Sequence, residues 1–320
     1  MKKVKRIRKR VNEEMRRIVA ALFLSVSIVA SNFAEENQQN NDVSVYTFFI
    51  NIANEQFRFP LIGFINIALG DYNLPQIGFV NWNKNNFETL QLGFVNTVGG
   101  DMTGLQIGFV NTTFGENTDG LQLGFINTTV NKFSGSQISF VNITRKLNGL
   151  QLGFINYTDS IEEGMPIGFL SIVRDGGYKA IELGASETSP FNLAFKIGVE
   201  KFYTSFGAAY NPFSDGVQEQ IILDAGFGTI LHIGETFFFN PEIISHVSIN
   251  EKFQNYISFV PYFGYKFMPN LSIVAGPSVL WIYPNSDDEV QEPFMNILKY
   301  EVNEKSKLFF GGRISLRFQL

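Results

Sequence analysis

Apolar and polar residues alternate along one short phrase that recurs through the first half of the chain. In LQIGFVN at 105–111, Leu105, Ile107 and Phe109 occupy one set of alternate positions, and Gln106 lies in the other set. A period of two with β-branched and aromatic residues predicts a β-strand whose two faces differ in polarity. We therefore expect a charge to be costly at Phe109 and tolerated at Gln106.

The phrase is repeated at a nearly constant step. Aligned on the central residue, successive copies are 15, 15, 15, 16, 15, 14 and 15 residues apart. The linkers are rich in Gly, Asn, Asp and Thr, which favour turns, and they are too short to hold crossover helices. The residues at the centres of the repeats are Gly63, Gly78, Gly93, Gly108, Gly124, Ser139, Gly153 and Gly168.

The C-terminal segments alternate over longer stretches, and their polar sides carry charge. In LFFGGRISLRFQL at 308–320, Ile314 and Phe318 alternate with Arg313 and Arg317. An apolar face beside a cationic face is typical of a barrel strand with lipid outside and water inside. The polar residues expected to face the lumen are Lys196, Glu200, Asp224, His232, Glu242, His246, Lys266, Arg313 and Arg317.

Two all-β architectures accommodate these patterns. Because the repeat spacing continues into the hairpins at 178–210, we favour one antiparallel transmembrane β-barrel of about 16–18 strands, formed by the repeat region 44–177 and the C-terminal strands 178–320. The alternative is an N-terminal β-solenoid of 15-residue repeats joined to an 8–10-strand barrel. The solenoid would stack one asparagine of each repeat into a ladder, formed by Asn66, Asn81, Asn96, Asn111, Asn127, Asn142 and Asn156.

The N-terminus has the layout of a secretory signal peptide. Lys and Arg are frequent in the first 17 residues, the apolar stretch Ile18–Ala30 follows, and polar sequence begins at Glu35. We predict a signal peptide over 1–34, removed between Ala30 and Ala34, and a polar segment at 35–43. An uncleaved N-terminal anchor is the alternative, although 13 apolar residues are fewer than the roughly 20 that span a bilayer.

The repeat also resembles a known family. The GLQ-x-G-φ-φ-N rhythm, where φ is an apolar residue, and the following MPIGFLSIVRDGGYKAIELGAS are similar to the leptospiral-type surface-repeat proteins. The similarity covers roughly residues 48–186, and the closing strand resembles an outer-membrane barrel terminus. The resemblance implies a location at the bacterial surface or outer membrane and no biochemical activity.

Composition narrows the remaining choices. The chain has no cysteine, so disulfides and thiol chemistry are excluded. The net charge is −5, but nine Lys or Arg and two Glu fall in the first 17 residues, which leaves about −12 for the rest and no basic patch for nucleic acid. No Walker loop, nucleophile elbow or HExxH motif is present. We therefore expect that the chain is not an enzyme and that it binds no cofactor and no metal ion.

The sequence thus predicts an exported outer-membrane protein that acts as a passive pore or a structural envelope protein. Eighteen strands would enclose a water-filled lumen, and its mixed charges would make a pore only weakly selective. The expected partners are outer-membrane lipid and the barrel-insertion machinery, and the sequence does not identify a ligand. A surface module that binds a ligand through its repeats is the alternative, and an enzyme embedded in a barrel is the third hypothesis.

Overall fold

The chain is built from β-strands throughout the part that the structure describes. The computed structural model describes residues 44–212, 220–249, 254–284, 293, 295, 297–303 and 306–320, and these contain no helix. The predicted signal peptide and the polar segment at 35–43 lie outside the described residues. The chain divides into two compact units, Met1–Gly124 and Phe125–Leu320. The all-β class predicted from the sequence is confirmed.

The first unit is a β-solenoid with two strands in most coils. Strands in equivalent positions pair in parallel fifteen or sixteen residues apart, as Val110 does with Val95 and Gln122 with Gln106. A short β1 pairs antiparallel with β2 at the start of the unit. The strands are β1 (Val45–Tyr46), β2 (Ile50–Ala53), β3 (Leu61–Ile62), β4 (Ile65–Ala68), β5 (Gln76–Ile77), β6 (Val80–Asn83), β7 (Phe87–Leu92), β8 (Val95–Val98), β9 (Met102–Ile107), β10 (Val110–Thr113) and β11 (Asn117–Leu123).

In the first unit the repeat phrases bend in the middle instead of forming one straight strand. In the copy at 105–111, β9 ends at Ile107 and β10 begins at Val110, so Gly108 and Phe109 form a corner. A Cβ on Gly108 would lie 2.3 Å from the carbonyl oxygen of Gly93 in the coil before it. Glycine therefore allows the backbones of successive coils to approach closely at this corner.

The interior of the coils combines an apolar cluster, which includes Leu61, Phe87 and Met102, with columns of neutral amides. Gln106 is fully buried and donates from Nε2 to Gln91 Oε1 at 2.7 Å, and Asn96 Nδ2 donates to Asn111 Oδ1 at 2.8 Å. Phe109 lies on the outside with 44% of its surface exposed. The apolar residues of the phrase do share a face, but that face points outward. The expected tolerance at Gln106 is therefore corrected, because its side chain belongs to a buried ladder.

The second unit begins with further coils and continues into a closed barrel. In the coils, Asn142 Nδ2 donates to Asn156 Oδ1 at 3.0 Å, and Tyr157 of β12 pairs in parallel with Ile172 of β13. The strands of this unit are β12 (Ile126–Ile167), β13 (Leu170–Val173), β14 (Tyr178–Ala185), β15 (Phe191–Val199), β16 (Phe202–Asn211), β17 (Gln220–Gly228), β18 (Leu231–Ile233), β19 (Phe237–Ser248), β20 (Gln254–Met268), β21 (Leu271–Pro284), β22 (Leu298–Asn303) and β23 (Ser306–Gln319).

Eight antiparallel strands form the barrel, in the order β14, β15, β16, β17, β19, β20, β21 and β23. The barrel closes where β14 pairs with β23, with Glu182 opposite Arg317. The short strands β18 and β22 pair with β19 and β23 without belonging to the closed ring.

The favoured single barrel of 16–18 strands is therefore replaced by the alternative of a solenoid joined to a smaller barrel. The corner at each Gly-Phe returns the chain along a coil, so equivalent strands become parallel neighbours, whereas a barrel meander needs antiparallel neighbours. The uniform linkers of the repeat were the sequence signal for this arrangement.

Candidate functional site: the charged interior and apolar exterior of the barrel

Exposed apolar side chains alternate with buried side chains along the barrel strands, and the buried set contains both charged groups and apolar clusters. On β23, Arg313, Ser315 and Arg317 are buried, whereas Ile314 and Leu316 between them are exposed. Eight strands enclose an interior that side chains can fill completely. The charged residues of this interior form two clusters.

The first cluster joins two carboxylates and two cations. Lys196 Nζ lies 2.9 Å from Glu182 Oε2 and also contacts Glu242 Oε1. Arg317 donates from Nε to Glu182 Oε2 at 2.7 Å and from Nη2 to Glu242 Oε1 at 3.3 Å. The Tyr203 hydroxyl donates to Glu242. Burial of four charges is tolerable here because each has an opposite partner and the cluster is formally neutral.

The second cluster is centred on Arg313. Its Nη2 donates to Glu187 Oε1 at 2.8 Å, and Ser278 donates to the other oxygen of Glu187 at 2.7 Å. The same Nη2 lies 3.0 Å from His246 Nε2. Because arginine is always a donor, His246 Nε2 acts as an acceptor, and the ring proton is placed on Nδ1.

His246 also connects an acid to a hydroxyl. Its Nδ1 lies 2.6 Å from Asp224 Oδ1, and its Nε2 lies 2.7 Å from Ser258 Oγ. Acid, imidazole and hydroxyl in this order activate the nucleophile of serine hydrolases. Ser258 is fully buried, however, and the cavity of about 30 Å³ between the two clusters is lined by Asp224 and Arg313. That volume admits a water molecule or two and no acyl substrate.

The residues that the sequence assigned to the lumen fall into three groups. The structure buries Lys196, Glu242, His246, Arg313 and Arg317 in the two clusters. Asp224 is half-buried and contacts His246. Glu200 and His232 instead form an exposed pair, with His232 Nε2 3.0 Å from Glu200 Oε2. Lys266 is half-buried, close to the end of β20 at Met268. The two histidines therefore lie in different environments.

Sequence reasoning missed several members of the clusters. Glu187 follows the end of β14, so the alternation of a strand could not assign it to the interior. Tyr203 is aromatic, as many of the outward-facing residues are. Its position two residues before the inward-facing Ser205 nevertheless places it on the inward face of the strand. Their roles depend on which strands are neighbours, which the alternation of one strand does not specify.

The outer surface of the barrel is apolar on strands all around it. Phe263 on β20 is 61% exposed and Ile243 on β19 is 56% exposed. The outward set with exposed fractions of at least 37% also includes Leu183, Leu193, Phe195, Leu223, Phe227, Phe237, Ile257, Phe259, Tyr265, Ile273, Trp281, Phe310, Ile314, Leu316 and Phe318. A contiguous apolar surface of this kind marks a site of contact with lipid or protein.

Comparisons with known proteins do not identify a relative. No family model matches the chain, and a search of curated proteins returned no match. Within the described residues, no helix is both long enough and apolar enough to cross a membrane. In the same residues, no group of three or more His, Asp or Glu side chains has a geometry that could hold a metal ion.

Proposed function

We propose that the chain is a bacterial outer-membrane protein in which an eight-stranded barrel anchors a repeat module to the envelope. The observation that supports this is the outer surface of the barrel, which carries large apolar side chains on strands all around it, while the interior holds charged clusters beside apolar residues. A barrel that folds in water places its apolar face inward, because that burial drives its folding. The observed polarity suits a hydrocarbon solvent.

The length of the strands fits a bilayer. A transmembrane β-strand needs about 9–11 residues. Strands β19, β20, β21 and β23 have 12, 15, 14 and 14 residues, and β14, β15, β16 and β17 have 8, 9, 10 and 9. Tyr265 and Trp281 face outward near opposite ends of the neighbouring strands β20 and β21. About eight residues at ~3.3 Å and a tilt of ~40° place these ends roughly 20 Å apart, close to the ~25 Å of an apolar band. Aromatic residues at both interfaces are typical of such barrels.

The proposed role is structural and does not include a pore. The expectation of a water-filled lumen depended on about eighteen strands, whereas the eight-stranded ring is filled by the two charged clusters and by buried Tyr262, Val260 and Leu280. The proposal also contains no catalytic step, because Ser258 is fully buried and the cavity lined by Asp224 and Arg313 is too small for an acyl substrate. Its partners are outer-membrane lipid and, during assembly, the barrel-insertion machinery.

The full chain purified in detergent tests this proposal. We expect different gel mobilities for unheated and boiled samples, and no conductance above the lipid baseline after insertion into planar bilayers. Phe263→Arg should destabilise the inserted barrel by about 2 kcal/mol, because it places a cation between the interface and the bilayer midplane. The control Asn270→Arg, in the exposed turn after β20, should change little.

Two results would overturn the proposal. A chain that folds and stays monomeric in buffer without detergent would exclude the membrane barrel. Discrete ion conductance from the purified chain would exclude the filled, structural barrel and restore the pore.

A further inference from the structure

The coils of the second unit present a column of phenylalanine rings along one edge. Phe125, Phe140, Phe154 and Phe169 stack with ring centroids 4.9–5.1 Å apart and ring planes within 7° of parallel. Each ring remains more than 40% exposed, so the column forms a continuous apolar edge. We call these four residues the phenylalanine edge.

Apolar residues continue from the phenylalanine edge onto both faces of the coils. Ile138 and Leu152 precede the rings and are about 40% exposed, and Val141 and Ile155 follow them and are half-buried. These residues lie within two positions of each ring, so at ~3.3 Å per residue the apolar rim is roughly 5–7 Å deep. This depth fits insertion among the upper acyl chains of one leaflet, as apolar faces buried by about 5–10 Å do.

The opposite side of the same coils is charged. Glu162 lies 2.8 Å from Lys132 Nζ and 2.5 Å from Lys146 Nζ, and Arg174 lies 3.0 Å from Asp159. Arg145 is exposed on this side as well. Each coil is therefore amphipathic, with one apolar edge and one charged edge.

The phenylalanine edge is continuous with the outer surface of the barrel. The ring of Phe169 meets the ring of Phe206 on β16 at 5.1 Å and 72°. Beside it, Thr204 Oγ1 donates to the carbonyl oxygen of Gly168 at 3.0 Å. Phe206 and Thr204 belong to the face of β16 that points away from the barrel interior. Lipid that surrounds this part of the barrel would reach the phenylalanine edge directly.

The end of the barrel nearest to Phe206 contains the C-terminal residues and short turns between strands. Gln319 N donates to Asn270 O, and only Glu200 and Lys201 separate β15 from β16. In outer-membrane barrels the short turns lie on the periplasmic side. Phe206 lies only a few residues after one such turn. In the proposed membrane it is therefore at the depth of the periplasmic leaflet.

From these contacts we infer that the phenylalanine edge inserts among the acyl chains of the periplasmic leaflet, with the charged side of the coils in water. The coils would then extend the lipid-facing surface of the barrel sideways. This inference rests on the proposed membrane location of the barrel. Lipid is favoured over a second copy of the chain because the edge joins a surface that the proposal already places in lipid.

Single tryptophans test the inference in the full chain. The sequence has only Trp82 and Trp281, so a background with both changed to Phe allows one reporter at a time. We choose Phe154→Trp on the edge, Arg145→Trp on the charged side, and Phe263→Trp on the barrel. The readout is fluorescence in phospholipid vesicles with and without bromine on the acyl chains, for variants that retain the heat-dependent gel shift.

The expected result is at least twofold quenching by brominated chains at positions 154 and 263 and little change at position 145. Quenching at 263 with none at 154 would overturn the inference and leave the membrane barrel standing. Equal quenching at 154 and 145 would also overturn it, because the coils would then have no preferred edge. Absence of quenching at both 263 and 154 would refute the proposed function itself.

Discussion

The solenoid and the barrel both bury polar groups and expose apolar ones, but they use different polar groups. The coils bury amides that bond to their own copies, as Gln106 does with Gln91. The barrel buries opposite charges that bond to each other, as Arg317 does with Glu182.

The difference follows from how the strands pair. Parallel, in-register coils place the same residue of every repeat in one column, so a buried charge would lie beside an identical charge. Asn and Gln have a donor and an acceptor on one group and can bond to copies of themselves. Antiparallel strands bring unlike residues together, so complementary charges can be buried as pairs. Strand direction therefore determines which polar groups an interior can hold.

The largest effect should come from breaking a charge pair in the barrel. Arg317→Met removes a partner from both Glu182 and Glu242, which leaves two buried carboxylates with Lys196 alone. We expect a loss of about 3–5 kcal/mol in the free energy of unfolding, measured by urea titration in lipid vesicles. Lys201→Met, at an exposed turn, is the matched control.

A second variant isolates the role of charge balance. Adding Glu242→Gln to Arg317→Met leaves one carboxylate and one ammonium in the cluster and should recover part of the loss. If the double variant were less stable than Arg317→Met alone, neutrality would not be the property that stabilises the barrel interior.

The next effect should come from placing a charge in the amide ladder. Gln106→Glu removes the donor to Gln91 and buries a carboxylate among neutral amides, at a cost of roughly 2–3 kcal/mol. Gln56→Glu makes the same chemical change at an exposed site. Limited proteolysis of the first unit would compare the two, and equal resistance would contradict the ladder's role.

Backbone conformation within one column should give a smaller effect of either sign. Thr89 has φ +142°, whereas its parallel neighbour Gly104 has φ +138°, a region that suits glycine. Thr89→Gly should stabilise the first unit by about 1 kcal/mol by removing this strain. Gly104→Ala should destabilise it, because the added Cβ would lie 2.1 Å from Thr89 O. Thermal unfolding of both variants measures the opposite signs.

The smallest effect concerns charges outside the interior. Hydrogen bonds from Lys132 and Lys146 lower the pKa of Glu162 to about 2. A carboxyl with a lowered pKa in the folded state stabilises it above its unfolded pKa of about 4.5, and this contribution is lost as the pH falls toward 2. Glu162→Gln should make the free energy of unfolding less dependent on pH in this range. Added salt should have a similar effect on the parent chain, because it screens the ion pairs. Glu163→Gln next to it serves as the control for loss of an acidic residue.

The sequence predicted the strands and their faces better than their neighbours. Alternation placed Leu105, Ile107 and Phe109 on one face of a repeat phrase. It also placed Arg313 and Arg317 on one face of the last strand, and the structure contains both groupings. Alternation has the same period in an outward-facing coil and in a barrel strand, so it could not choose between them. The bend at Gly108 and Phe109 distinguishes the coil from the barrel strand, and alternation alone predicts a continuous strand there.

The charged clusters could be predicted only in part for a related reason. Inward parity indicated Lys196, Glu242 and Arg317 one strand at a time. These three side chains meet only because β14, β15, β19 and β23 belong to one narrow barrel. The barrel is narrow because it has eight strands. Glu187 lies outside any strand and had no periodic signal at all.

The constant register of the first unit has a consequence for how such a chain could change length. Residues 93–107 form one whole coil period, since Gly93 and Gly108 are equivalent positions. Removing them would join Leu92 to Gly108 and leave every remaining column with the same kind of neighbour on each side. The module would shorten by one strand spacing, about 4.8 Å. Genetic gain or loss of a 45-nucleotide segment would thus alter the reach of the module in fixed steps, without the need for a newly adapted interior.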